Sequence, residues 1–495
     1  MGDRRRSDQR GCPARRLKLA PAIVLALAAS GCAVGPTYES PSPVLPERFA
    51  EVDGSVIVSA QPGGVANWTA FGDPALDRLL ASALDKNRGL AQAAARLAEA
   101  RAIRGLESAA LLPRAESGAG RERSKPSGRD PFIPPDIGIT ETWRLGFDAS
   151  WEIDLFGAAR QARRRARADE AAAEADLAAA RIAVAAEVAQ AYFALRAEQE
   201  RLRVQQRQVE NLRENLALLE LRRDAGRGTE LDVARSNALG LAIAARLPQT
   251  EAAIARHEQR LAVLAAMPLP ALREALGDAA PLPALPEVVP VGSPEEWIRR
   301  RPDVAAAERR LAAATAAVGV AVADWFPRLS LVGGFGWTAQ RAADLGDEVA
   351  ERWRAGPSIG WAFPDVITIR QGVRGAEARL DGARARFEEQ VLLALEDVES
   401  AMAGYRAAVR SAGALEQAVA RAGDALRIAR LRLEAGAADN LVVLDAERTL
   451  LDLEDQLASA RLARATAFAA LHKALAGDFV APEGASVAAT SAGGR

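Results

Sequence analysis

The residues that could do chemistry in this sequence are few and scattered. His257 and His472 are its only histidines. Both lie on stretches with helical periodicity, and neither has the histidine or cysteine cluster that a metal or nucleophilic site needs. Gly333-Gly334-Phe335-Gly336 lacks the lysine and spacing of a phosphate loop. Arg299-Arg300-Arg301 reads as a structural or interfacial charge group. These residue types predict no enzyme, no metal and no cofactor. What the sequence does arrange is partition between lipid and water. Leu145, Phe147, Ala149, Trp151, Ile153 and Leu155 alternate with Asp148, Glu152 and Asp154. A strand would turn the first set to one face and the acids, with Arg144, to the other. One face suits hydrocarbon and the other a water-filled lumen, although an amphipathic sheet of a soluble domain would read the same from a single strand.

Long helices must hold such strands. From about Ala158 to Asp224 there is no proline, and a continuous helix of that length would extend about 100 Å at 1.5 Å per residue. Gly226 and Gly228 interrupt it, and Thr229-Glu230-Leu231-Asp232-Val233 starts a return helix to about Ala266. The pattern recurs. Thr368 to Glu434 is again long and free of proline, Gly436 supplies a turn, and Asp439 can cap the returning helix. Gly226, Leu231, Val233, Leu241 and Leu247 fall 210 positions before Gly436, Leu441, Val443, Leu451 and Leu457. Val233, Gly240, Leu247, Ile254 and Leu261 are spaced by heptads, as are Val443, Leu450 and Leu457, which predicts coiled packing.

Shorter helices are predicted from Asp73-Pro74 toward Leu111 and from about Pro294 to Phe326, with Pro113 and Pro327 as stops. Strand pairs follow each: a weak candidate at 114–121 with 143–155, then 329–337 with 353–363. Four strands cannot close a useful barrel, and an open edge at hydrocarbon depth would leave backbone groups unpaired. A membrane reading therefore requires oligomerisation. Only 5% of the 495 residues are aromatic, which favours helices packed through small side chains over a bulky core.

At the amino terminus, Arg4, Arg5, Arg6, Arg10, Arg15, Arg16 and Lys18 precede an apolar stretch from Leu19 to Ala29, too short to span a bilayer. This is a secretory leader. Ala29-Ser30-Gly31-Cys32 resembles a lipoprotein processing box, with Ala29 where leucine is more familiar. The resemblance implies cleavage before Cys32, diacylation of its sulfur and acylation of the new amine, such as by palmitate. Several chains together anchor stably. Ala33, in place of an acidic retention residue, predicts delivery to the outer membrane. The alternative is ordinary leader cleavage with Cys32 incidental. Cys12 lies in the leader, so the mature chain has one cysteine and no intramolecular disulfide. The whole chain carries a net charge of −1. Residues 1–31 hold seven Arg or Lys and two Asp, so the remainder stands at −6, and no basic excess points to nucleic acid.

Four stretches together resemble the outer-membrane efflux protein family, in its NodT-like lipoprotein branch: Cys32-Ala33-Val34-Gly35-Pro36-Thr37-Tyr38; Trp151-Glu152-Ile153-Asp154-Leu155-Phe156-Gly157; Arg301-Pro302-Asp303-Val304 with Ala307-Glu308; and Val443-Leu444-Asp445-Ala446-Glu447-Arg448. The resemblance implies an α+β membrane protein, internally duplicated. Three copies would close a twelve-stranded β-barrel, four strands per subunit, continued by a periplasmic α-helical coiled-coil tunnel. Leu145, Phe147, Trp151 and Ile153 would face lipid, and Asp148, Glu152 and Asp154 the lumen. It further implies a homotrimer docked to a periplasmic adaptor and an inner-membrane resistance-nodulation-division transporter, which supplies the energy. The expected location is the outer membrane, lipid-anchored, with a large periplasmic portion.

Gly436 to Asp445 resembles the periplasmic tip at which family members form an acidic constriction. In a homotrimer an inward Asp445 becomes three charges; the alternative is an outward helix carboxylate. Asp439 is a second candidate, with a competing cap role. Arg/Asp partners found around some family gates do not align, because Ala438 and Val442 occupy the corresponding positions. Trp361-Ala362-Phe363-Pro364-Asp365-Val366 lacks the paired glycines common at the second strand-to-helix junction. The expected division is a signal peptide at 1–31, a lipidated extended segment at 32–70, efflux repeats at 71–285 and 286–480, and a tail at 481–495. The expected function is a passive exit duct for small molecules. A type I protein-secretion duct and a structural periplasmic coiled-coil lipoprotein are the alternatives.

Overall fold

A computed structural model of the chain describes residues 34–52, 54–59, 71–127, 129, 131, 138–286, 288–363 and 365–475. The leader, Cys32, Pro364 and the tail at 481–495 lie outside them. In chain order the elements are β1 (Ile57–Ser59), α1 (Pro74–Lys86), α2 (Arg88–Ala109), β2 (Arg114–Ser124), β3 (Thr140–Ile153), α3 (Ala158–Asp224), α4 (Glu230–Ala244), α5 (Leu247–Leu264), α6 (Leu269–Leu276), β4 (Val289–Val291), α7 (Pro294–Arg300), α8 (Pro302–Ala323), β5 (Arg328–Ala339), β6 (Glu351–Gly360), α9 (Val366–Glu434) and α10 (Asn440–Ala474). The described residues fall into two compact units, one drawn from Met1–Ser40, Ala100–Glu170 and Arg310–Arg384, the other from Pro41–Glu99, Ala171–Arg309 and Ala385–Arg495.

The first unit holds an antiparallel sheet in the order β2-β3-β5-β6. The weak candidate at 114–121 is a full strand of 11 residues, because every residue from Arg114 to Ser124 pairs with β3. The partner strands start earlier and stop sooner than expected, β3 at Ile153 and β6 at Gly360.

The second unit is helical around one core. The parallel pair β1–β4 places Ile57 and Val291, both fully buried, among Leu76, Leu79, Tyr192, Leu261, Trp297 and Phe468. Two expectations for the shorter helices are corrected here. The helix expected from 73 to 111 is broken at Asn87, whose Oδ1 accepts from Gly89 N at 2.8 Å and Leu90 N at 3.2 Å while Nδ2 donates to the Leu264 carbonyl at 2.9 Å. The helix expected from 294 is broken at Arg301, before Pro302.

The two long helices end alike. Gly226 and Gly436 take φ of +71° and +69°, the left-handed conformation that glycine adopts without a Cβ penalty. Arg227 N donates to the Arg222 carbonyl at 2.8 Å, and Ala437 N to the Arg432 carbonyl at 2.8 Å, the paired closure of a Schellman turn. Gly228 has no positive φ; its Cβ would stand 3.0 Å from Arg223 N, so close backbone approach is what suits glycine there. The return limbs differ. The single helix expected to about Ala266 is two, α4 and α5, because Pro248 sits in the first turn of α5 and has no amide to continue the ladder. In α10 the corresponding residue is Ala458, and the helix runs unbroken for 35 residues.

Candidate functional site

Strand register sorts the first unit's sheet into two chemically distinct faces. Phe147 pairs with Phe335, and Phe335 with Trp353; Ile153 pairs with Leu329, and Leu329 with Ile359. Leu145 and Trp151 lie in register with Trp337 and Leu331 on the same side. The large apolar side chains of this face are open in the single chain, with Phe147 62%, Trp353 74% and Ile359 72% exposed. A contiguous apolar patch of this kind marks an interaction surface.

The opposite face carries charge and glycine. Glu116, Asp148, Gly334 and Arg354 form one row across all four strands. Arg354 Nη2 donates to Asp148 Oδ1 at 2.9 Å, reaching over β5. It can do so because Gly334 lies between them, where a Cβ would stand 2.5 Å from that carboxylate oxygen. Gly146 is held to glycine by its neighbour strand, since its Cβ would approach the Phe335 carbonyl oxygen to 2.7 Å. Glu152 shares this polar side, one pair from Trp151.

Asp154 does not, and the expectation for it is corrected. β3 ends at Ile153, and the Asp154 carboxylate turns to the start of α3, accepting from Ala159 N at 3.0 Å and from Arg160 N at 2.9 Å. A carboxylate at a helix N-terminus meets unpaired amides and the positive end of the dipole. The feet of both hairpins are tied alike: Trp151 Nε1 donates to the Leu111 carbonyl at 3.1 Å and Trp361 Nε1 to the Trp325 carbonyl at 3.2 Å.

In the second unit, Asp439 is a cap, its Oδ1 accepting from Val442 N at 3.3 Å. Asp445, in the second turn of α10, is exposed and its carboxylate takes no hydrogen bond among the described residues. Two residues on, Glu447 is buried. It accepts from Arg430 Nη2 of α9 at 3.1 Å and from Asn215 Nδ2 of α3 at 3.4 Å. Burial pushes its carboxyl above the ordinary range against the pull of Arg430. Sequence reasoning passed over this residue. The available signal was a carboxylate in the apolar stripe Val443-Glu447-Leu451, all three buried.

Arg301 is a structural tie. Its buried guanidinium donates to both oxygens of Asp303 at 3.0 and 2.7 Å, to Asp397 at 3.0 Å and to the Ala474 carbonyl at 3.1 Å. Although burial opposes it, this pairing holds the Asp303 carboxyl below its usual range. His257 is half-buried and pushed below its usual value by burial and Arg256. No cluster of three potential metal-ligating side chains occurs among the described residues.

Comparison with known proteins places this arrangement. The family model described as outer membrane efflux protein matches residues 79–266 and again 294–477. The pyoverdine export outer membrane protein OpmQ of Pseudomonas putida is 33% identical over 84% of this chain and 88% of its own length. Nodulation protein T of Rhizobium leguminosarum bv. viciae is 29% identical over 94% of each. The solved structure of the outer-membrane channel OprN superposes with a TM-score of 0.83 at 38% identity, over 90% of this chain and all of that one. The chain belongs to the outer membrane efflux protein family.

Proposed function

We propose that three copies of this chain form the outer-membrane exit duct of a tripartite efflux pump, passing small molecules through a twelve-stranded barrel and a helical periplasmic tunnel. One observation carries the reading: a four-stranded sheet with an apolar face, a charged and glycine-rich face, and two outer edges at β2 and β6. In hydrocarbon those edges must find partners, and further copies of the same sheet supply them while the polar face lines a lumen. Membership of the efflux family supports the same assignment. Leu145, Phe147, Trp151 and Ile153 then face lipid, Asp148 and Glu152 the lumen, and Cys32 carries the acyl anchor. A periplasmic adaptor and an inner-membrane resistance-nodulation-division transporter complete the pump and supply its energy. The unbonded carboxylate of Asp445 is the candidate for an acidic constriction near the Gly436 turn; Asp439 is committed to its helix cap.

Planar-bilayer recording of the purified assembly tests this. Discrete conductance is expected, with a cation preference that falls in Asp445→Asn and weakens at high salt through screening. A properly assembled trimer that passes no current would overturn the duct. Unchanged selectivity in both Asp445→Asn and Asp445→Ala would remove Asp445 from the constriction and leave the duct intact.

A further inference from the structure

Val34, two residues after Cys32, is the first described residue. Val34 N–H donates to the Phe156 carbonyl at 3.2 Å. The Val34 carbonyl accepts from Gln161 Nε2 at 3.1 Å. Gln161 is only 3% exposed with the segment in place, so the Val34 carbonyl satisfies a buried donor that would be costly to leave unpaired. Gly35 adopts φ +105°, and a Cβ there would stand 2.5 Å from the Cα of Gly319 in α8. A Cβ on Gly319 would in turn meet the Gln161 side chain at 2.7 Å. Phe156, stacked on Phe326 at 4.6 Å, and Gln161 flank the bend at Gly157, φ +84°, through which β3 becomes α3. A backbone bond, a side-chain bond and a glycine-on-glycine crossing therefore converge on one short segment and fix its direction as well as its place.

We propose that Gln161, Gly319 and the Phe156 carbonyl form a seat for Val34 and Gly35 that holds the acylated amino terminus at the foot of β3, making the anchor a fixed footing of the β3–α3 bend. This rests on the reading of Cys32 as lipidated. Two trans peptide links span about 7 Å at most, so the acylated residue stays within that reach of the Val34 backbone. A loose tether would let the acyl chains wander; a seated one sets where they enter the bilayer relative to the apolar face of the sheet.

Hydrogen exchange on the full chain in phospholipid vesicles, with the mass of the amino-terminal peptide read from the same digest, tests the seat and the lipid separately. In the wild type the Val34 amide is expected to be protected and Cys32 acylated. Gln161→Ala and Gly319→Val are expected to speed exchange at Val34 about tenfold or more, with Cys32 still acylated and the β3 amides still protected. Gln161→Ala keeps the test valid if the bulkier valine prevents folding. Equal exchange at Val34 in the wild type and Gln161→Ala overturns the seat. A protected Val34 behind an unmodified Cys32 overturns the anchor role together with the lipoprotein reading.

Discussion

Glu447 is a carboxylate set where a packed helix ordinarily carries an apolar side chain, and its energetics follow from that position. Because burial raises its pKa above the ordinary 4.5, the folded chain holds the proton to higher pH than the unfolded chain. Its contribution to stability is therefore complete below about 4.5 and is lost as pH rises through the folded value. Glu447→Gln is expected to flatten this part of the pH profile and to raise stability at neutral pH, as read by denaturant unfolding at about pH 5 and about pH 8. A variant that instead loses more stability at the higher pH would mean that the Arg430 pair outweighs burial. At this scale the alternating residues of β3 were legible because strand geometry alone sorts them. Asp154 was misplaced because alternation continues by chance past the point where the chain turns. Gln161 was invisible, since its partner Val34 lies far off in the sequence and no local pattern announces it.

The elements were legible where local chemistry sets them and illegible where distant contacts do. Glycines mark the ends of α3 and α9, and proline-free stretches mark their lengths. The breaks at Asn87 and Arg301 had local signals, a side-chain cap onto Gly89 and Leu90 for the first and Pro302 for the second, while the Leu264 and Ala474 carbonyls that Asn87 and Arg301 also bond come from elsewhere in the chain. The Pro248 break had a local signal that the heptad spacing outweighed. For the sheet, the register puts Phe147 and Ile153 on one continuous apolar face. Phe147→Arg, in the middle of β3, is expected to cost about 2 to 4 kcal/mol per copy and to deplete the folded assembly in vesicles, whereas Ile153→Arg, at the strand's end, is expected to cost about 0 to 1 kcal/mol. An assembly yield equal to wild type for Phe147→Arg would show that the face is misassigned.

For the whole molecule, the 210-residue offset predicted two repeats, and the family model matches two stretches, 79–266 and 294–477, whereas the pairing that joins the two halves was not legible. β3 of the first half pairs with β5 of the second along 11 residue pairs, and alternation never names a strand's partner. Each half alone would hold an isolated hairpin, which is marginal in water, so the sheet belongs to the entire chain. The core of the helical unit also gives the molecule an optical signature of its own. The chain has three tyrosines. The Tyr192 hydroxyl donates to Asp73 Oδ2 at 2.5 Å and accepts from Arg196 Nε at 3.0 Å. Burial, then the bond to Asp73, pushes its pKa up to about 12. In an alkaline titration followed by near-ultraviolet absorbance, a late phenolate component is therefore expected from the folded protein and is smaller by one tyrosine in Tyr192→Phe. Because the unfolded chain ionises this group near its ordinary value of 10, stability falls as pH rises above that point. The moment at which the late component merges with the early one dates the opening of the core, without any added dye; a titration with no late component in the folded protein would show that this hydroxyl is not held between Asp73 and Arg196.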